Sequence, residues 1–143
     1  MTQFTTANEA ETIALGHRLA AELKGVVLLI GNLGAGKTTI VKGIAEGLHA
    51  AREEEVSSPT FTLIHEYGDP PLVYHIDLYR LDTEREVESL GLEDIFAAGR
   101  LVLIEWGERF PRLMPLPRTE IEITMEDTIE DGDSRIIVLR HVS

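Results

Sequence analysis

The chain has 143 residues, with 13 Lys and Arg against 25 Asp and Glu and a formal net charge of −12. At roughly 100–200 residues per domain, this length predicts one domain over residues 1–143, and the acidity excludes an unaided grip on a nucleic-acid backbone or an anionic membrane surface, both of which need clustered cations. With no cysteine, disulfides, thiol catalysis and Cys-ligated zinc are excluded as well.

In chain order, Asn8 followed by Glu11 has the form of a helix start. Ile13, Gly16, Ala20 and Leu23 continue along one helical face, and Gly25 is expected to end that helix. Val26–Ile30 is a short continuous aliphatic run, the pattern of a strand buried on both faces and far too short to cross a bilayer. A soluble, cytoplasmic domain is therefore expected. A glycine loop follows, Gly31–Gly36, and then Ile40, Val41, Ile44, Ala45 and Leu48 at helical spacing. Phe61–Tyr67 and Leu72–Tyr79 read as strands joined by the turn residues Gly68-Asp69-Pro70-Pro71, an antiparallel hairpin. Thr83 with Glu86 forms a capping box, Gly91 breaks that helix, and a second short helix is expected over Glu93–Ala98. Leu101–Ile104 is another buried run. Residues 107–118, with Gly107, Pro111, Pro115 and Pro117, are expected to be a long surface loop. Ile121, Ile123 and Met125 alternate with polar residues as a half-buried strand. Asp127, Glu130, Asp131, Gly132 and Asp133 would make the turn to a last strand, Ile136–Leu139. The sum is an α/β domain: a P-loop NTPase-like sandwich, with a central, mainly parallel sheet flanked by helices and extended by antiparallel hairpins.

Gly31-Asn32-Leu33-Gly34-Ala35-Gly36-Lys37-Thr38 satisfies the P-loop pattern G-x-x-x-x-G-K-[ST] at every specified position. Its glycines let the backbone turn tightly and aim N–H groups at one point. The helix that follows adds its positive end. Lys37 supplies a point charge for the β- and γ-phosphates, and the Thr38 hydroxyl suits a Mg²⁺ held between them. The motif follows a buried strand and opens a helix, as this mechanism demands, so a local positive site can exist in a strongly acidic chain.

Such a site needs an acid on the magnesium side, at the end of a buried strand. Glu105 follows four aliphatic residues, and Asp77 closes the strand Val73-Tyr74-His75-Ile76. The cleaner run favours Glu105 as the metal-side acid, directly or through water. Asp77 could orient the attacking water or hold a metal-bound one; equally, it could pair with Arg80 or cap a turn. Ser57-Ser58-Pro59-Thr60-Phe61-Thr62 occupies the place of a phosphate-sensing switch loop, but as residues alone it reads as the start of a strand. The histidines make no zinc spacing. His75 reads as a strand residue satisfied by a neighbour, Trp106 as a packing residue, and Arg109, Arg112 and Arg118 as cations of a solvated loop.

Taken together, four blocks resemble the TsaE (YjeE) family of bacterial P-loop ATPases over nearly the whole chain. They are Gly31-Asn32-Leu33-Gly34-Ala35-Gly36-Lys37-Thr38-Thr39, Ser58-Pro59-Thr60-Phe61-Thr62-Leu63, Tyr74-His75-Ile76-Asp77-Leu78-Tyr79-Arg80-Leu81 and Leu103-Ile104-Glu105-Trp106. The family usually has Asp where this chain has Asn32, a position the P-loop definition leaves open. The resemblance implies a weak ATPase that uses ATP and Mg²⁺ in making the threonylcarbamoyl modification of the adenosine beside the anticodon in tRNA. It also implies the partner proteins TsaB and TsaD, with tRNA engaged through them. On the same likeness Thr38 and Glu105 would ligate magnesium, Lys37 would bind phosphate, Asp77 would act on the metal or its water, and Ser58 to Thr60 would form a switch loop. Nucleotide contacts would reach Asn8 and Arg135. Two other functions are compatible with a P-loop: a small-molecule kinase, which the short chain and missing arginine-rich lid disfavour, and a nucleotide-gated binding module without useful hydrolysis, on which the residues are neutral.

Overall fold

A computed structural model describes residues 1–32, 34–52, 55–57, 63–68, 70–125 and 134–143. Leu33, Ser58, Thr60 and the turn expected over 127–133 lie outside them. The described elements run β1 (Thr2–Thr6), α1 (Glu9–Leu19), β2 (Val26–Ile30), α2 (Lys37–Gly47), β3 (Ile64–Tyr67), β4 (Val73–Asp77), α3 (Glu84–Glu88), α4 (Leu92–Ala97), β5 (Leu101–Glu105), β6 (Arg118–Met125) and β7 (Arg135–Val142). Among the described residues these strands form one sheet in the order β1-β7-β6-β2-β5-β4-β3. The four central strands, β6, β2, β5 and β4, run parallel, while β7, β1 and β3 join antiparallel.

The aliphatic strands are buried on both faces because helices cover both. Alternation sends Val27, Leu29, Leu101, Leu103 and Val73 into one core with Leu15, Leu19, Ile40 and Ile44 of α1 and α2. The same alternation sends Val26, Leu28, Val102, Ile104 and Ile76 into a second core, with Val87 and Leu92 of α3 and α4. The caps follow the sequence. The Asn8 side chain accepts the Glu11 N–H at 2.9 Å, and Thr83 with Glu86 closes a capping box.

Several boundaries differ from expectation. Helix α1 ends at Leu19, with Ala20 as its cap, rather than running to Gly25. Two further backbone bonds, from the Glu22 and Leu23 N–H groups to Leu19 O, carry the turn onward, and Gly25 turns the chain into β2 with a positive φ. The hairpin is shorter: β3 starts at Ile64, because Leu63 adopts φ 70° and cannot continue a strand. The polar strand β1 adds an edge that apolar alternation does not reveal. Residues 107–118 are not a free loop. They form two 3₁₀ turns, Gly107–Arg109 and Pro111–Leu113, whose Phe110 and Met114 enter the second core. The cations there are each paired with an acid: Arg109 with Asp82, Arg112 with Glu84 and Arg118 with Glu120.

Helices α1 and α2 approach through glycines. A Cβ at Gly43 would lie 2.0 Å from the Ile13 carbonyl oxygen, and one at Gly16 would lie 2.5 Å from that of Ile40. Backbone atoms cannot yield as a flexible side chain can. Gly43→Ala should therefore destabilise the fold by about 2–3 kcal/mol, the cost of overpacking a close contact, read as a lowered midpoint in urea unfolding.

Candidate functional site

Parallel pairing brings the chemistry to one edge of the sheet. β4 and β5 are in register, with Asp77 opposite Glu105, and β2 pairs Leu29 with Glu105 on the other side. The carboxyl ends of the three strands thus finish together. Gly31, Asn32, Gly34, Ala35 and Gly36 lie between the end of β2 and the start of α2 at Lys37. Gly36 caps α2 in the left-handed region at φ 108°, and Gly34 has φ 79°, backbone conformations that a side chain disfavours.

A cleft of about 370 Å³ opens here. It is lined by Gly34, Gly36, Lys37, Thr38 and Thr39 of the glycine loop and α2, by Asp77 and Glu105 at the ends of β4 and β5, and by Tyr79, Trp106 and Arg135. Arg135 donates from Nε to the Ala35 carbonyl at 2.7 Å, tying β7 to the glycine loop. Gly31, Asn32 and Ala35 line a neighbouring cleft of about 320 Å³. Trp106 borders both clefts. Asn8 is not among the lining residues; it serves α1 as a cap. Its neighbours Glu9 and Thr12 line a small depression with Gly36, Thr39 and Arg135. Thr60 and Leu33 lie outside the described residues.

Lys37 is only 5% exposed. Its Nζ donates to the Gly31 carbonyl at 2.7 Å and sits 3.6 Å from the centroid of the Trp106 ring. Burial pulls its pKa below the ordinary lysine range, and the acids Glu105, Glu108 and Asp77 offset part of that. Trp106 is therefore more than packing. It stacks on Tyr79 at 5.2 Å and offers Lys37 an aromatic face, a contact generally worth about 0.5–2 kcal/mol. No spacing rule in the sequence points to it, although its place directly after Glu105 was a usable signal.

Asp77 is 2% exposed and accepts the Tyr79 N–H at 2.8 Å. It is a turn cap and a wall of the cleft at once. Glu105, 3% exposed, is no solvent-facing strand end. Its Oε2 lies 2.5 Å from Nε2 of His75, the neighbour that satisfies that histidine.

A strand–glycine loop–helix unit facing acids at the ends of parallel strands defines the class: a P-loop NTPase-like protein. Comparison with known proteins narrows this. Residues 6–137 match the family model described as threonylcarbamoyl adenosine biosynthesis protein TsaE, and the chain belongs to that family. It is 44% identical over 124 residues to the tRNA threonylcarbamoyladenosine biosynthesis protein TsaE of Bacillus subtilis, covering 85% of this chain and 76% of that one. It is 48% identical over 144 residues to the Nostoc protein of the same name, covering 94% and 83%. The crystal structure of Bacillus subtilis YdiB superposes with a TM-score of 0.76 at 34% identity, over 99% of this chain and 86% of that one.

Glu108 lines the smaller of the two clefts. Its Oε1 is buried with no hydrogen-bond partner among the described residues, and burial raises its pKa. A raised carboxyl favours the protonated form in the folded state. Stability is therefore lost as pH rises from the unfolded value, near 4.5, through the higher folded one. Glu108→Gln mimics the protonated form. It should raise the urea midpoint at pH 7.5, with the gain shrinking as pH falls toward 4.5.

Proposed function

We propose that this chain binds ATP with Mg²⁺ in the cleft between α2 and the ends of β4 and β5 and hydrolyses it slowly, as the nucleotide-driven subunit of the cytoplasmic machinery that places threonylcarbamoyl on tRNA adenosine. The observation that carries this reading is the convergence of Lys37, Thr38, Asp77 and Glu105 on one cleft in a member of a family named for that biosynthesis.

The residues fit the ligands. Gly34 and Gly36 keep one wall free of side chains, so the backbone can approach phosphate oxygens closely. The α2 N-terminus and Lys37 supply positive charge, and an anion in the cleft favours the ammonium that burial otherwise disfavours. Arg135, already fixed to the loop at Ala35, adds a second cation to the lining. Thr38 and Glu105 offer hard oxygen donors suited to Mg²⁺, and the remaining ligands would be phosphate oxygens and water, the usual composition of such sites. Mg²⁺ there would neutralise charge on the phosphates. Asp77, which lines the same cleft, would orient the attacking water.

The net charge of −12 disfavours a direct grip on tRNA, so TsaB- and TsaD-like partners would hold it. No helix among the described residues is long and apolar enough to cross a membrane. A kinase reading would need residues 107–118 as a closing lid, and Phe110 and Met114 anchor that segment in the core.

The test is ATP hydrolysis with and without TsaB and TsaD homologues, with tRNA modification read in the same mixture. Slow turnover alone, acceleration by the partners and modification that depends on this chain are expected. Rapid phosphate transfer to a metabolite without partners would overturn the reading. Asp77→Ala should lower kcat by about 100-fold, the low end for losing a group that handles the reacting water, while KM stays within about threefold, because the phosphate-binding wall is untouched.

A further inference from the structure

We propose that His75 is a positioning residue that fixes the Glu105 carboxylate in the orientation that metal binding requires. The inference rests on the nucleotide reading above and extends it to a residue that does not touch the ligand.

Among the described residues, His75 is one of the most deeply buried polar groups. It is 0% exposed in the middle of β4, two residues from Val73, which is also 0% exposed and belongs to the aliphatic core on the α1–α2 side. A strand position of this kind ordinarily holds a β-branched hydrocarbon. An imidazole there costs free energy unless both ring nitrogens find partners.

Both do. The parallel register sets His75 beside Leu103 and Asp77 beside Glu105, so His75, Asp77 and Glu105 share one face of the sheet. The Glu105 carboxylate is held by His75 at 2.5 Å between Nε2 and Oε2, with the two side chains 0% and 5% exposed. A carboxylate can only accept, so Nε2 donates to it. The Tyr67 hydroxyl lies 3.4 Å from Nδ1, and also 3.5 Å from the Ser57 carbonyl and 3.4 Å from Nδ1 of His65. The tyrosine and histidine rings pack with centroids 6.2 Å apart. Tyr67 buttresses the imidazole from the side away from the cleft.

The consequence is entropic and geometric. A glutamate at a strand end has three rotatable side-chain bonds. With one oxygen fixed to a rigid ring inside the sheet, those torsions are set before any ligand arrives, and the cleft receives a single carboxylate geometry. Groups that orient a metal-binding carboxylate commonly change metal affinity by about 10–100-fold when removed. A purely structural histidine would instead change stability and leave metal and nucleotide affinities moving together.

The test compares His75→Asn with His75→Gln in the full chain. The Gln amide nitrogen reaches the place of Nε2, and the shorter Asn does not. Affinity for the non-hydrolysable analogue AMPPNP is measured in EDTA and again with Mn²⁺, whose bound fraction and line shape are followed by electron paramagnetic resonance. His75→Asn should lose about 10–100-fold in Mn²⁺ affinity, with metal-free AMPPNP affinity within about twofold of wild type. His75→Gln should recover most of the loss and the wild-type line shape. Tyr67→Phe, which removes one oxygen and keeps the ring, should show a smaller loss in the same direction. Equal Mn²⁺ affinity in folded His75→Asn, equal losses with and without metal, or folded Gln and Asn variants that behave alike would each overturn the proposal. If His75→Asn does not fold, an unchanged Mn²⁺ affinity in Tyr67→Phe overturns it, and a loss in Tyr67→Phe confined to the Mn²⁺ measurement supports it. Wild-type protein that fails to bind AMPPNP under either condition would overturn the nucleotide reading itself, and this inference with it.

Discussion

The hydrogen-bonded parallel register of β2, β5 and β4 is the constraint on which the cleft depends. Backbone pairing fixes Asp77 opposite Glu105 and Leu29 beside Glu105, so three strands end at one level. Parallel strands require crossovers, and the helices that make them bury both faces of the sheet. The aliphatic runs Val26–Ile30 and Leu101–Ile104 satisfy that demand. The residues that follow each run then emerge at the same edge, where open α/β sheets place their ligands. A glycine loop after one strand and carboxylates at the ends of two others are brought together by topology alone.

The electrostatics of the edge are local. The whole molecule carries −12, yet Lys37 is buried among Glu105, Glu108 and Asp77 with its ammonium against Trp106 and the Gly31 carbonyl. Desolvation disfavours that charge, and the surrounding acids only partly compensate. The arrangement is one in which an incoming polyanion gains more than a solvent-exposed lysine would give it. Global acidity and a local positive site are compatible because Lys37 is buried at the cleft, where its charge acts at short range.

Much of this was legible in the residues. The buried runs, the P-loop and the Thr83–Glu86 capping box depend on contiguous or near-contiguous positions, and each lies where its spacing placed it. The antiparallel hairpin and the pairing of Glu105 and Asp77 with the glycine loop were also anticipated. The rest depends on distance along the chain. β1 is a polar edge strand that owes its existence to β7, more than a hundred residues away. Phe110 and Met114 read as loop because prolines surround them, although their side chains reach the core. His75 finds Glu105 thirty residues later, through strand order that no local period encodes. Trp106 becomes a site residue only when α2 sets Lys37 beneath its ring.

The central claim is that the cleft beside Lys37 is a triphosphate site. Trp106, the sole tryptophan, lies 3.6 Å from the Lys37 ammonium, so its emission reports on that cleft. Titrating ATP with Mg²⁺ while following this emission should give a saturable change in the wild type. In Lys37→Ala the midpoint should move by at least about tenfold, the loss expected for a charge-assisted hydrogen bond. A wild type with no saturable change, or the same midpoint in Lys37→Ala, would contradict the account.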